Sequence, residues 1–247
     1  MRMRKKKHGT ERLMALSSLV LSENGKITSG EEIFEDASKP LRLEIGCGKG
    51  DFICQLSFRD DAYNYIAVEK IIDVIVVAAE KYAKERNLGS LAPNGGWKAP
   101  DGTVYKDGEK WEIPLAARGN VRFIPGDAKS LSELFGDSLF DSVYVNFCDP
   151  LPKKGHADRR LTSPGFLKEY IRILKPGGTF RFKTDNEGLF DYTLETIAEC
   201  GYTITFSTRD LHNSPYAAEN LMTEYERNFS QKGVSINCLE AVIPEKK

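Results

Sequence analysis

The chain has no run of about 18 consecutive apolar residues, so nothing in it reads as a membrane-spanning helix. It has no Cys-x-x-Cys pair. Its five cysteines (Cys47, Cys54, Cys148, Cys200 and Cys238) are odd in number and read as small core residues in a reducing compartment, not as a disulfide framework. Histidine is scarce, and His8, His156 and His212 lie far apart, so no metal site is expected. A P-loop is missing as well, because Lys49 is followed by Gly50 and not by Ser or Thr. Neither charge dominates: 35 Lys and Arg against 36 Asp and Glu sum to −1. That balance argues against a protein that coats nucleic acid through overall basicity, and leaves room for local basic patches. What is present is apolar material, 40 % of 247 residues, enough for one large α/β domain and too much for disorder, collagen or coiled coil.

The N-terminus imitates a secretory signal, with basic Met1–His8 ahead of apolar Leu13–Leu21. Gly9-Thr-Glu-Arg12 interrupts the pattern, and Ser22-Glu-Asn-Gly25 has no small-x-small cleavage site, so a cytoplasmic location is expected. Residues 1–40 read as a basic arm, an ambiguous helical stretch and a polar linker ending at Lys39-Pro40; residues 41–247 read as one domain.

From residue 41 strands and helices alternate. Strands are expected at Leu41–Ile45, Tyr65–Val68, Val121–Ile124, Phe140–Val145, Thr179–Lys183, Tyr202–Ser207 and Ser235–Val242. Helices are expected at 51–58, 71–86, 130–135, 165–174, 187–200 and 219–229. The alternation predicts an α/β fold with a doubly wound, mostly parallel, Rossmann-like sheet. Residues 89–119 break it with two Asp-Gly pairs, both tryptophans and three prolines. Thr103–Tyr105 and Trp111–Ile113 around Lys106-Asp-Gly-Glu109 predict a β-hairpin excursion.

Chemistry gathers at the strand ends. Glu44-Ile-Gly-Cys-Gly-Lys-Gly50 lets a ligand approach backbone N–H groups at a helix start, with Gly-x-Gly-x-Gly spacing unlike a dinucleotide fingerprint. Glu69 closes the second strand, where an acid holds ribose hydroxyls; alternatively it is a solvated strand end paired with Lys70. Asp127 follows the third strand, where it can accept from an adenine amino group or cap the next helix. Together they define one cleft and read as S-adenosylmethionine binding rather than NAD binding. Asn146-Phe-Cys-Asp149-Pro-Leu-Pro-Lys153-Lys154 ends the fourth strand, where an acid and a lysine can hold a base, or merely form an exposed proline-rich loop. Thr184-x-x-Glu187 and Thr223-x-x-Glu226 have the pattern of helix capping boxes, and composition alone favours capping.

These segments, in this order, resemble the bacterial tRNA (guanine-N7)-methyltransferase family. The likeness is carried by the basic start at residues 2–6, Glu44–Gly50, Asn146–Lys154, His156, Arg159-Arg-Leu-Thr162, Phe182–Asn186, Asp210–Ser214 and Met222–Glu226, and runs from near residue 1 to about 242. It implies that residues 41–247 form a methyltransferase domain. It implies S-adenosylmethionine contacts from Glu44, Glu69, Asp127 and Asp149, with Gly46 and Asn146 lining the same pocket. It implies tRNA or guanine contacts from Lys153, Asp185, Thr223, Glu224, Tyr225 and Glu226. RNA would be met by Lys154, Gly155, His156, Arg159 and Arg160. The chain departs from the family at Leu151, usually Trp, and at Gly155, usually Arg; the excursion at 89–119 is also atypical.

The residue types suit that chemistry. Guanine N7 already carries a lone pair, so attack on a sulfonium methyl needs alignment and no strong base. Asp149 is the expected catalytic residue, holding the guanine edge at the donor, while Asp185 and Glu226 would orient the base through its N1 and amino hydrogens. N7 lies in the deep, narrow groove of an RNA helix, so the target is expected to be a loop base or one turned out, which suits the variable-loop guanosine the family modifies. Two other readings remain at this point: a methyltransferase of exocyclic base amines, disfavoured because Lys153 and not an aromatic follows Pro152, and an RNA-binding module with a vestigial cofactor fold. The expected partner is tRNA, with no membrane and no metal; monomer and homodimer both stay open.

Overall fold

The computed structural model describes residues 9–21, 25–31, 33–92, 96–106 and 109–245. The basic arm at 2–7, the Asp107-Gly108 turn and the side chain of Lys154 lie outside the described residues.

Seven strands form the main sheet: β1 (Leu41–Ile45), β2 (Asn64–Glu69), β6 (Val121–Pro125), β7 (Phe140–Asn146), β8 (Leu174–Thr184), β9 (Thr203–Thr208) and β10 (Asn237–Val242). Their order is β6-β2-β1-β7-β8-β10-β9. The pairs β6–β2, β2–β1, β1–β7 and β7–β8 are parallel, while β10 runs antiparallel between β8 and β9. Within β8 the register jumps between Leu174 and Thr179, so the expected Lys175–Gly178 turn survives as an irregularity inside one long strand.

Alternation along each strand builds two cores. Leu43, Ile45, Ile66, Val68, Val143, Val145 and Phe180 face one side, against α5 (Pro164–Ile173) and α6 (Glu187–Glu199). Tyr65, Ala67, Val121 and Phe123 face the other, against α1 (Gly9–Ala15), α2 (Asp51–Arg59) and α3 (Ile72–Glu85). Each fully buried Leu, Ile, Val or Phe contributes about 1.5–3 kcal/mol, so both faces hold the sheet.

The segment before residue 41 is built into this core. Leu13, Ala15, Leu16 and Leu19 are buried, and Arg12 makes a bidentate pair with Glu80 on α3 at 2.7 and 2.6 Å. Phe123 N–H donates to Leu19 (2.9 Å) and Leu21 N–H donates to Phe123 (2.8 Å), so residues 19–21 cover the free edge of β6. Ile27 bridges Phe135, and Phe34 enters the opposite core.

The excursion is a three-stranded antiparallel sheet, β3 (Ser90–Leu91), β4 (Trp97–Lys98) and β5 (Val104–Tyr105). The expected hairpin is therefore displaced. The turn joining β4 to β5 uses Asp101-Gly102, and Trp111–Ile113 forms no strand. Trp111 instead stacks on Trp97 at 5.9 Å, and Ile113 is buried. Ser18 Oγ donates to the Trp111 carbonyl (3.1 Å) and accepts from Ile113 N–H (3.0 Å), docking the excursion on the segment after α1. The remaining helices are α4 (Leu131–Leu134) and α7 (Glu224–Ser230), the latter starting later than expected. Among the described residues no helix is long and apolar enough to cross a membrane.

Candidate active site

The sheet order reverses between β1 and β7, where ligands of doubly wound folds bind beyond the carboxyl ends of the strands. After β1 the chain turns through Gly46, Gly48 and Gly50, all at positive φ (74°, 57° and 79°). Gly46 and Cys47 N–H groups both donate to the Val68 carbonyl (2.8 and 3.1 Å), tying the turn to β2. Gly50 is needed twice over, since a Cβ there would also lie 2.9 Å from Ala78 Cβ on α3. Glu69 braces the turn: its carboxylate accepts from Gly48 N–H (3.1 Å) and Ile71 N–H (2.9 Å). Asp127 accepts from Lys129 N–H (3.1 Å) and pairs with Lys70 at 2.7 Å, so its capping role is real. Partial burial raises its pKa, but the Lys70 and Lys129 contacts outweigh this and leave it lowered.

These elements enclose a cavity of about 550 Å³. Gly46, Glu69, Asp127 and Asp149 all line it, together with Arg159 and an apolar wall that includes Phe147, Leu161 and Phe166. Four of the six expected cofactor residues therefore converge. Glu44 and Asn146 do not line this cavity. Strand alternation turns Glu44 away from the Leu43–Ile45 side, where it is 2 % exposed and accepts from Asn146 Nδ2 at 3.1 Å. Its second oxygen is buried without a hydrogen-bond partner. Burial pushes the Glu44 carboxyl up to about 7, against the pull of the Asn146 amide and the Lys183 charge. Asn146 lines a second cleft of about 370 Å³ on that face, with Arg42, Tyr144, Arg181 and Lys183. Both residues are thus neighbours of the cavity floor and not part of its wall.

Asp149 is exposed at the cavity, in a loop bracketed by Phe147 (φ 53°) and Leu151 (φ 41°). Lys153, Gly155 and Arg159 are exposed and His156 is half-buried along the 3-10 turn Lys154–Arg159. Arg160 departs from expectation, because its guanidinium donates to the Pro150 and Leu151 carbonyls and does not face solvent freely. Burial, then the Asp149 charge, pushes the Cys148 thiol up to about 12, which keeps it protonated at neutral pH.

The expected substrate residues divide. Tyr225 sits 5.0 Å from the ring of Phe147, a cavity residue, and its hydroxyl donates to Asp185 at 3.4 Å; Tyr225 and Asp185 themselves do not line the cavity. Burial, then the Asp185 charge, pushes the Tyr225 hydroxyl up to about 12, keeping it a donor. Thr223 caps α7, accepting from Glu226 N–H at 3.1 Å. Glu224 N–H donates to Asp51 (2.8 Å), and its carboxylate lies 3.7 Å from Lys49. Glu226 cannot reach a base. It is fully buried, and its oxygens accept from Lys183 Nζ (2.8 Å) and Asn220 Nδ2 (2.6 Å) and meet His212 Nε2 (2.7 Å). Burial raises its pKa, but Lys183 and the other partners more than offset this and lower it. Thr184 does not cap α6 either; Asn186 does, accepting from Leu189 N–H at 2.8 Å.

Sequence reasoning gave no role to Lys183, His212 or Asn220, which with Glu226 form a buried polar hub under α7. The signal available was Lys183 itself, which with Arg181 alternates with Phe180 and Phe182 in β8.

A family model described as "Putative methyltransferase" (Methyltransf_4) matches residues 38–239. Among solved structures the chain is similar to an antibiotic-related methyltransferase, with 15 % identity over 85 % of this chain and 87 % of that one and a TM-score of 0.51. It is similar also to the 16S rRNA methyltransferase KamB, with 14 % identity over 87 % of this chain and 98 % of that one and a TM-score of 0.54. At such identity the likeness is one of fold, the doubly wound, Rossmann-like methyltransferase sheet read from the alternation of elements.

Proposed function

The chain belongs to the Methyltransf_4 family of methyltransferases, and from that premise we propose that it transfers a methyl group from S-adenosylmethionine to N7 of a variable-loop guanosine in tRNA. The observation that carries this reading is the cavity at the β1/β7 reversal. The glycine turn braced by Glu69 and the Asp149 loop both line it, and Phe147 in that lining lies 5.0 Å from the Tyr225 ring of the Tyr225–Asp185 pair.

The residues present fit the donor. Glu69 and Asp127 keep carboxylates on the rim for ribose hydroxyls and an adenine amine, with Gly46 and Gly48 leaving room for close approach. When it is ionised, Glu44 adds a negative charge under the same floor, which favours a cationic ligand. When bound, S-adenosylmethionine supplies an electrophilic methyl on a sulfonium. The chain's own contribution is alignment and charge. Asp149 holds the guanine edge and, as a carboxylate, tolerates the cation that methylation creates. Asp185 accepts from base N–H groups, fixed by the Tyr225 hydroxyl. Phe147 and Tyr225 offer a ring pair against which a base stacks. Lys153 and Arg159 supply exposed cations for the flanking phosphates. Glu226 acts one step back, holding α7 and thereby Tyr225 in place.

The test is incubation with methyl-labelled donor and bulk tRNA, followed by nucleoside analysis. Labelled 7-methylguanosine is expected; labelled N6-methyladenosine, or no label in tRNA, would overturn the reading.

A further inference from the structure

The loop carrying Asp149 is held in a conformation that its residues resist. Phe147 and Leu151 both occupy the left-handed region, at φ 53° and 41°. Such a conformation is strained for a non-glycine residue and persists only where its surroundings over-determine it. At the first end the holders are the backbone and a ring: Phe147 N–H donates to the Lys183 carbonyl (2.8 Å), and its ring meets Tyr225. At the second end the holder is one side chain. Arg160 donates from Nε to the Pro150 carbonyl (3.1 Å) and, more weakly, to that of Leu151 (3.4 Å), while Nη2 donates to Leu151 at 3.1 Å. Its guanidinium lies 4.3 Å over the Tyr192 ring. The Tyr192 hydroxyl in turn donates to Ala157 (3.3 Å), inside the turn that leads to Arg160.

We propose that Arg160 is a positioning residue for Asp149: its fork grips the two carbonyls after Asp149, holds Leu151 at positive φ, and so keeps the Asp149 carboxylate on the cavity wall. The adjacent Arg159, exposed on the rim, is left as the cation of this pair that meets RNA phosphate. Arginine suits the clamp because a planar fork serves two acceptors and a ring face at once, whereas a lysine ammonium serves as a point charge. A family expectation of two adjacent RNA-binding arginines thus separates into two tasks. The proposal rests on reading this cavity as the methyl-donor site.

The test compares wild type with Arg160→Gln, Arg160→Lys and Arg159→Gln. Donor affinity is read by calorimetry with S-adenosylmethionine, tRNA affinity across a salt series, and steady-state turnover with bulk tRNA. Arg160→Gln is expected to weaken donor binding about tenfold, the weight of one charge-assisted hydrogen bond, and to lower kcat by at least as much. Its tRNA salt slope is expected to match wild type, while Arg159→Gln flattens that slope by about one. Arg160→Lys should fall between Arg160→Gln and wild type in donor affinity, and it carries the test if thermal melting shows Arg160→Gln unfolded. Wild-type donor affinity in the folded Arg160 variants overturns the proposal, as does a salt slope reduced by one with kcat retained. A wild type that binds donor yet leaves tRNA unmethylated refutes the substrate reading, and the donor-affinity comparison still decides the role of Arg160. A wild type that binds no donor overturns both.

Discussion

Replacing Glu44 by Gln removes a carboxyl group whose pKa burial has pushed from an ordinary 4.5 to about 7, and leaves an amide that still meets Asn146. A rise of that size is worth on the order of 3 kcal/mol at ~1.36 kcal/mol per pH unit. Because the folded state binds this proton more tightly than the unfolded chain, its contribution is complete below pH 4.5 and is lost as pH rises through 7. Between pH 5 and pH 8 the wild type should therefore lose on the order of 2–3 kcal/mol that Glu44→Gln does not lose. Urea unfolding of both proteins at the two pH values measures the difference directly. Stability curves that run parallel from pH 5 to pH 8 would refute the reasoning. They would mean that Glu44 ionises at an ordinary pH and that its buried oxygen has found a partner. The same group predicts a binding effect. A cationic donor above the floor favours ionised Glu44, so wild-type donor affinity should rise from pH 6 to pH 8, and the rise should vanish in Glu44→Gln.

Asp149→Ala should abolish methyl transfer to tRNA while tRNA binding by filter or anisotropy assay stays intact; unchanged turnover would end its catalytic assignment. Glu226→Gln leaves Lys183, only 4 % exposed at its side chain, without its anion, and should cost about 3–5 kcal/mol in urea unfolding. The lowered pKa of Glu226 means its share of stability is present above the unfolded value and lost as acid protonates it, so the variant should show a shallower acid unfolding limb. Gly50→Ala forces a Cβ into Ala78 at φ 79° and should cost about 1–3 kcal/mol, seen as a lowered Tm; an unchanged Tm would show that α2 and α3 separate freely.

The strands and the glycine turn were legible because they rest on local sequence pattern. Leu41–Ile45 and Phe140–Val145 are short apolar-rich runs that end in turn signals and are almost wholly buried, and the positive φ of Gly46, Gly48 and Gly50 is what those glycines permit. What was not legible depends on contacts between distant segments. Thr223-x-x-Glu226 looked like a capping box, and Thr223 does cap, but the Glu226 side chain turns inward to Lys183, 43 residues away in sequence. Arg160 next to Arg159 looked like a second phosphate ligand, and only the path of the Pro150–Leu151 backbone shows it occupied. The excursion misled for a related reason. The expected turn is closed by Glu109 N–H donating to the Lys106 carbonyl (3.0 Å), but Val104–Tyr105 pairs with Trp97–Lys98 and Trp111 stacks on Trp97 instead of forming the second strand. Residues 1–40 read as an arm, an ambiguous helical stretch and a linker; the helix is there as α1, but no periodicity marks the single anchors that tie the segment to the core, such as Leu16, Leu19 and Phe34.

The stacked pair in the excursion also makes this protein its own local reporter. Trp97 and Trp111 are the chain's two tryptophans, and both sit outside the seven-stranded sheet. Indole emission therefore follows the docking of residues 97–113 on the segment after α1, while far-UV circular dichroism follows the sheet and helices. If the two signals melt together, the excursion is one cooperative unit with the domain. If emission shifts first, residues 89–119 open as a separate unit of lower stability, and light from two side chains times that event without any label.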